Sequence, residues 1–162
     1  MPAAAPDPEH FREVFGRFAT GVAVITSAGA TNAGGMTANA LCSLSLDPLL
    51  VLVCFENRAR TLPIVREAQR FGINLLAAGQ HDVAAVFASK VPESEKLEGV
   101  EHALIEGVPI IDGALAWAAC ELRDQIAGGD HTIVIGEVMA LGLGDGEPLL
   151  WYAGRYHELG AG

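Results

Sequence analysis

The sequence is poor in charged residues, and its few charges are strongly biased towards acid. Charged residues make up 19% of the 162 residues, and ten basic side chains face twenty acidic ones, for a formal net charge of −10. This balance excludes the basic footprint of a nucleic-acid-binding protein and disfavours an anionic membrane as a partner. Local arginines must therefore attract any anionic ligand against the overall field of the chain.

Motifs that mark common nucleotide, metal and nucleophile sites are missing. The sequence contains no G-x-x-x-x-G-K-[ST] loop, no G-x-S-x-G turn and no H-E-x-x-H zinc motif, and its glycines at 142, 144 and 146 do not fit the dinucleotide pattern G-x-G-x-x-G. The five histidines are scattered, so we expect no metal site. The three cysteines form no C-x-x-C pair, and we expect them to be reduced thiols of the core.

Length and composition predict a single domain spanning residues 1–162, with residues 1–6 as a disordered lead. A hydrophobic fraction of 51% beside so little charge predicts surface that is hidden in a homodimer. The N-terminus has neither the basic nor the apolar region of a signal peptide, and no apolar run reaches the ~18 residues that span a membrane. We therefore expect a cytoplasmic protein.

The hydrophobic pattern predicts many strands and few helices. A helix is expected from Asp7, as N-cap, to Gly21, with its apolar stripe packed in the core; the stripe is Phe11, Val14, Phe15 and Phe18. Further helices are predicted at 61–70, capped by Thr61, and at 81–89, whereas 90–107 is predicted to be a charged surface excursion with weak helix. The predicted strands cover 21–26, a segment starting near 36, 42–46, 49–55, 71–76, 114–126, 131–143 and 149–152.

Two of these strands have distinct patterns. In 42–46 the serines alternate with apolar residues and should face the opposite side of the sheet, while the continuous apolar run 49–55 should be buried on both faces. About seven strands joined by short turns predict a mainly β protein with flanking helices, folded as a closed or nearly closed antiparallel barrel of Greek-key type.

Polar groups stand at both ends of the predicted strand 49–55. Before it, Thr37, Ala38 and Asn39 offer donors, acceptors and a small side chain that suit a flat polar ring, although on their own they are also typical of a turn. After it, Arg58 and Arg60 precede a helix N-terminus, a combination that binds phosphate. The alternative is a plain helix cap flanked by solvated arginines.

A set of six segments, in this order, makes the chain resemble a known family. They are FGRFATGVAVIT (15–26), GMTANALCSLSLDP (35–48), NRART (57–61), FGINLLAAGQ (71–80), GDHTIVIGEV (129–138) and PLLWYAGRY (148–156). With them the chain resembles the flavin reductase-like family, which has the FMN-binding split-barrel fold, and specifically the short reductase components of two-component flavin-dependent monooxygenases.

The resemblance implies where the flavin, FMN or FAD, binds. It places Met36, Thr37, Ala38 and Asn39 along the flavin ring, with Ser43 near the ring or the ribityl chain. It assigns the flavin phosphate to Ala59, Arg60 and Thr61, and Arg58 beside them is also expected to bind the cofactor. It also places Asn74 and Leu75 beside the ribityl chain, and Phe87 over the cofactor.

For NADH or NADPH, the resemblance implies a second group of residues. His131, which follows Asp130 in the GDH motif, is expected near the nicotinamide as the catalytic residue, although a loop histidine bonded to the backbone is the alternative. Tyr152, Gly154 and Arg155 are expected on the same side.

Three hypotheses about function therefore remain. The first is an NAD(P)H:flavin oxidoreductase that supplies free reduced flavin to a partner monooxygenase, and the GDHTIVIGEV and WYAGRY motifs favour it. The second is a flavin-binding or carrier protein without catalysis, in which substitution of His131 is silent. The third is a barrel that binds another small apolar ligand, in which the arginines only cap a helix.

Overall fold

The computed structural model describes residues 5–160, and strands dominate it. Within that range the helices are α1 (Pro8–Phe15), α2 (Thr61–Ala68), α3 (His81–Ala88) and α4 (Glu93–Lys96). The strands are β1 (Thr20–Gly21), β2 (Ala23–Ala28), β3 (Ala33–Ala38), β4 (Leu41–Leu46), β5 (Leu49–Glu56), β6 (Arg70–Leu75), β7 (His102–Ile105), β8 (Val108–Ile111), β9 (Ala116–Gly128), β10 (His131–Leu143), β11 (Leu149–Tyr152) and β12 (Arg155–Glu158). None of these helices is long and apolar enough to cross a membrane.

Seven strands form one antiparallel sheet in the order β3-β2-β6-β9-β10-β5-β4. Its two edge strands, β3 and β4, are consecutive in the chain and are joined only by residues 39–40. So short a link requires the sheet to curl until its edges are close together, with the two edges left unpaired across a split. The prediction of a mainly β, antiparallel barrel with flanking helices is therefore confirmed.

The barrel is filled by large apolar side chains from β2, β5, β6 and α2. Phe55 and Phe71 are fully buried, and Ile25, Leu62 and Val65 pack with them. Burial of each such side chain contributes about 1.5–3 kcal/mol. Because α2 packs here immediately after β5 ends, this cluster fixes the start of α2 beside the mouth of the barrel.

The first helix differs from its prediction. Asp7 is the N-cap and accepts hydrogen bonds from the backbone N–H groups of Glu9 and His10, as expected. The helix, however, ends at Phe15, and its apolar stripe is exposed, with Phe18 leaving 74% of its surface in solvent. The prediction that this stripe packs in the core of the chain is wrong, because among residues 5–160 no element covers that side of α1.

Strands β4 and β5 are also less buried than predicted. A register shift between Ser43 and Ser45 breaks the alternation of β4, and Leu46 is 87% exposed. On β5 only Val53 and Phe55 are buried, because β5 has one face on the barrel interior and the other outside. Cys42, predicted to be a core thiol, is exposed, whereas Cys120 is buried and its burial raises the pKa of the thiol to about 12.

The segment 90–107, predicted to be an irregular surface excursion, contains α4 and β7. Glu93 and Lys96 of α4 are 6% and 3% exposed, so the charge-rich composition of the segment does not keep it at the surface. Strands β8 and β12 lie in stretches where no strand was predicted. Strand β12 completes a small sheet in the order β1-β11-β12.

Candidate functional site

A cleft of about 430 Å³ opens where the end of β3, the end of β5, the start of α2 and the end of α3 come together. Ten of the residues predicted from the sequence line it. They are Met36, Thr37, Ala38, Asn39, Arg58, Ala59, Arg60, Thr61, Phe87 and His131. The two polar groups that flank the strand 49–55 in the sequence therefore share one cavity.

Residues 36–39, called the ring segment below, form one wall of the cleft. They belong to the edge strand β3 and its exit, not to a turn. The Thr37 hydroxyl donates to the Ala84 carbonyl oxygen of α3 at 2.5 Å, and the Asn39 amide nitrogen donates to Thr20 Oγ1 at 3.3 Å. These hydrogen bonds fix the ring segment so that the small Ala38 methyl group and the backbone groups of a strand edge line the cleft. Such a surface suits a flat heterocycle.

Residues 58–61, called the phosphate corner below, form the opposite wall. Thr61 was predicted to cap α2, but the N-cap is Arg60, and no side chain caps the helix. The Thr61 hydroxyl instead donates to Glu93 Oε2 at 2.9 Å. In the first turn of α2, Pro63 has no N–H group and the Leu62 N–H donates to the Ala59 carbonyl oxygen, so the Thr61 N–H is the donor that remains for a phosphate.

The net charge of the side chains that line the cleft is positive, opposite in sign to that of the chain. Its lining carries the basic Arg58, Arg60 and Lys96 against the acidic Glu56 and Glu93. The chain as a whole has a formal net charge of −10. An anion is therefore attracted to this place by local groups, as the sequence required.

A buried ion pair lies under the phosphate corner, and the sequence does not predict it. Lys96 Nζ lies 2.6 Å from Glu93 Oε1, and both side chains are almost fully buried. Ser89 and Glu56 also line the cleft without having been predicted. The local sequence PESEK gives no signal of burial, because the groups that pair with it lie on β3 and α2, far away in the chain.

His131 lies at the rim, at the first position of β10 and opposite Glu56 of β5. Its Nδ1 is 2.7 Å from Asp130 Oδ1, which leaves Nε2 for another partner. The hydrogen bond to His131, followed by the charge interaction with it, lowers the pKa of Asp130. Asn57 holds the turn by donating to the Gly129 carbonyl oxygen at 3.3 Å. The histidine is bonded to a carboxylate, not to the backbone as the alternative prediction had it.

Three predicted flavin-side residues do not line the cleft. Ser43 lies on the exposed strand β4, and Leu75 is 37% exposed at the end of β6. Asn74 is fully buried: its amide nitrogen donates to Val24 O and Thr26 Oγ1, and its amide oxygen accepts from Ile111 N. With these groups bound inside the protein, Asn74 joins β2, β6 and β8, and its side chain has no access to a ligand.

The predicted nicotinamide-side residues Tyr152, Gly154 and Arg155 lie in the hairpin between β11 and β12. Gly154 has φ +77°, a left-handed conformation that favours glycine at this position of the tight turn. Their neighbours Trp151 and Tyr156 line a second cavity of about 230 Å³ that shares Thr37, Ala38 and Asn39 with the first. The hairpin therefore borders the ring segment through residues that were not predicted.

The residues of the cleft fit a flavin nucleotide. A strand edge with a small side chain suits the ring, and an uncapped helix start with two arginines suits the phosphate. Among residues 5–160, no group of three or more His, Cys, Asp or Glu side chains is placed to hold a metal ion.

Known proteins are similar to this chain over nearly its whole length. The family model described as "Flavin reductase like domain" matches residues 15–160. The chain is 40% identical to the NADH-dependent flavin reductase of Rhodococcus sp over 155 residues, which is 94% of this chain and 86% of that protein. It is also 40% identical to the reductase component of 4-hydroxyphenylacetate 3-monooxygenase from Thermus thermophilus, over 93% of this chain and 96% of that protein.

A solved structure has the same fold. The NADH:FAD oxidoreductase SgcE6 of Streptomyces globisporus superposes with a TM-score of 0.91 at 36% identity, covering 99% of this chain and 100% of that chain. The same protein has also been solved in complex with NAD and FAD fragments. The match of the family model, the identity to curated relatives and the shared barrel lead to one conclusion: the chain belongs to the flavin reductase-like domain family.

Proposed function

We propose that this chain is an NADH-dependent flavin reductase that supplies free reduced flavin to a separate monooxygenase. The observation that carries the proposal is the single cleft lined by the ring segment, the phosphate corner and His131. Relatives named as NADH-dependent flavin reductase and as the reductase component of a two-component monooxygenase support it.

A bound flavin supplies the redox chemistry, since its ring accepts a hydride from a reduced nicotinamide. The chain needs only to bind and orient the two nucleotides and to exclude water from between them. The phosphate corner anchors one end of the flavin, the ring segment supports the other, and His131, whose Nδ1 is bonded to Asp130, is the residue proposed to contact the nicotinamide. No catalytic triad or carboxylate pair is required for this role.

The cleft is open, which suits a flavin that enters and leaves as a substrate. The positive charge at the phosphate corner comes from Arg58 and Arg60, and Arg60 is partly balanced by Glu93, whose Oε1 lies 3.7 Å from Arg60 Nη2. Such a site holds the cofactor at one end and lets the reduced form dissociate towards a partner enzyme. We propose a cytoplasmic location for this exchange.

The first test is oxidation of NADH by the purified chain, followed at the nicotinamide absorbance band, with and without added FMN or FAD. We expect oxidation only when flavin is added, and the flavin that gives the higher kcat/KM is the preferred substrate. NADPH in place of NADH tests the nicotinamide preference. Flavin binding without NADH turnover, together with a silent His131→Asn substitution, would favour the carrier hypothesis, and absence of both would favour a barrel for another ligand.

We also propose that the chain is a homodimer, because large apolar side chains are exposed on two parts of its surface. Leu46 and Leu143 are 87% and 89% exposed, and Phe11 and Phe15 of α1 are 60% and 61% exposed. Exposed apolar surface of this kind is typical of an interface. Light scattering after size exclusion should give twice the chain mass.

A double variant that introduces two negative charges tests whether the surface around Leu46 and Leu143 forms the interface. Leu46→Glu with Leu143→Glu is expected to give a folded monomer if it does, whereas Leu159→Glu, at an exposed C-terminal position, should leave the mass unchanged. A wild-type mass equal to one chain would contradict the dimer.

A further inference from the structure

The buried ion pair between Glu93 and Lys96 lies between the walls of the cleft. The two residues are the first and last of the four-residue helix α4, and their charged atoms are 2.6 Å apart. A buried pair of this kind is costly to desolvate unless further hydrogen bonds satisfy both groups. The partners that do so here lie on three different segments of the site.

The first partner is the edge strand β3. Gly35 N donates to Glu93 Oε2 at 3.0 Å, and Lys96 Nζ donates to Gly35 O at 3.0 Å. The ion pair therefore satisfies the edge of β3 in the way that a neighbouring strand would. A Cβ atom added at Gly34 would lie 2.5 Å from Glu93 Oε2, so the close approach also requires glycine at that position. Gly35 directly precedes the ring segment.

The other partners belong to the phosphate corner and to the end of α3. Glu93 Oε2 accepts from Thr61 Oγ1 at 2.9 Å, and Glu93 Oε1 lies 3.7 Å from Arg60 Nη2. Lys96 Nζ also donates to Phe87 O at 3.2 Å. One carboxylate thus contacts the strand that leads into the ring segment and the first residue of α2.

We propose that Glu93, oriented by Lys96, is a positioning residue that sets the spacing between the ring segment and the phosphate corner. This inference rests on the proposed function, because only a ligand with a ring and a phosphate must be bound at both walls at once. Two preorganised walls let the second contact form without further ordering of the protein, which increases affinity. Glu93 does not need to contact the flavin to act in this way.

The test compares FMN with riboflavin, which has the same ring but no phosphate, in the variant Glu93→Gln. Glutamine keeps the shape and one acceptor but loses the charge that holds Lys96 and Arg60. Titration by flavin fluorescence should give an FMN Kd about tenfold weaker than wild type, because the two walls no longer fit one ligand, and a riboflavin Kd within about twofold. Glu95→Gln is the matched control, because it removes the same charge at an exposed position of α4. It should leave both Kd values unchanged.

A second variant covers the case in which Glu93→Gln fails to fold. Glu93→Gln combined with Lys96→Met removes both charges together and leaves no lone charge in the interior. We expect this double variant to unfold near the wild-type temperature and still to lose the preference for FMN over riboflavin.

The inference would be overturned if the folded variants lost affinity for FMN and riboflavin by the same factor, or if their ratio of riboflavin Kd to FMN Kd stayed at the wild-type value. The proposed function would still stand in that case, because the NADH assay tests it separately. Wild-type protein that binds neither flavin would overturn both.

Discussion

Lys96→Met is expected to lower the free energy of unfolding by about 3–5 kcal/mol, because it leaves the Glu93 carboxylate buried without its partner. The lysine is 3% exposed and donates to Glu93, Gly35 and Phe87, so water cannot take its place without opening the contact between α4 and β3. Urea unfolding followed by circular dichroism measures the loss. The midpoint should shift at an unchanged slope if unfolding stays two-state.

Lys90→Met is the matched control, since Lys90 is exposed just before α4 and loses the same charge. Its effect should remain within about 0.5 kcal/mol, as for other surface substitutions. Adding Glu93→Gln to Lys96→Met should restore most of the lost stability, because the interior is then free of unpaired charge. A loss below about 1 kcal/mol in the single variant would mean that the pair is solvated in solution, in conflict with its burial here.

The sequence predicts the barrel well wherever a segment defines its own boundaries. Strand β10 spans the predicted residues 131–143 and β11 the predicted 149–152, because turns rich in glycine flank their apolar runs. The ring segment and the phosphate corner could also be anticipated, since both are short motifs whose chemistry is visible in consecutive residues. Their meeting in one cleft follows from the curl of the sheet, which brings the end of β3 near the end of β5.

Other features depend on contacts that no local pattern encodes. The charge-rich stretch of α4 is typical of a solvated surface. Glu93 and Lys96 are buried because Gly34 leaves room for Glu93 on the edge of β3 and the backbone groups of Gly35 bond to both side chains. Asn74 lies within one of the segments that resemble the family, yet its side-chain amide is hydrogen-bonded to backbone groups of β2 and β8. For α1, the amphipathic pattern indicates that one face needs a partner but not which one, and no element within residues 5–160 covers that face.

Arg58 is exposed at the phosphate corner and forms no ion pair with the other residues in 5–160. Arg58→Ala is expected to weaken FMN binding by about 10- to 100-fold, since a hydrogen bond to a charged group contributes about 1.5–3 kcal/mol. Riboflavin affinity should stay the same, because riboflavin lacks the phosphate. Thermal unfolding should also stay the same, because the Arg58 guanidinium group forms no ion pair within the described part of the chain.

Ionic strength separates a charge effect of Arg58 from a change of shape. Raising the salt concentration should weaken FMN binding to wild type and narrow its difference from Arg58→Ala, because exposed charges are screened within about 10 Å at 0.1 M salt. Arg66→Ala, in the last turn of α2 and outside the cleft, removes the same charge and should leave FMN affinity and its salt dependence unchanged. Equal loss of FMN and riboflavin binding in Arg58→Ala would place the arginine at the ring and not at the phosphate, and an unchanged FMN affinity would leave the phosphate to Arg60 and the first turn of α2.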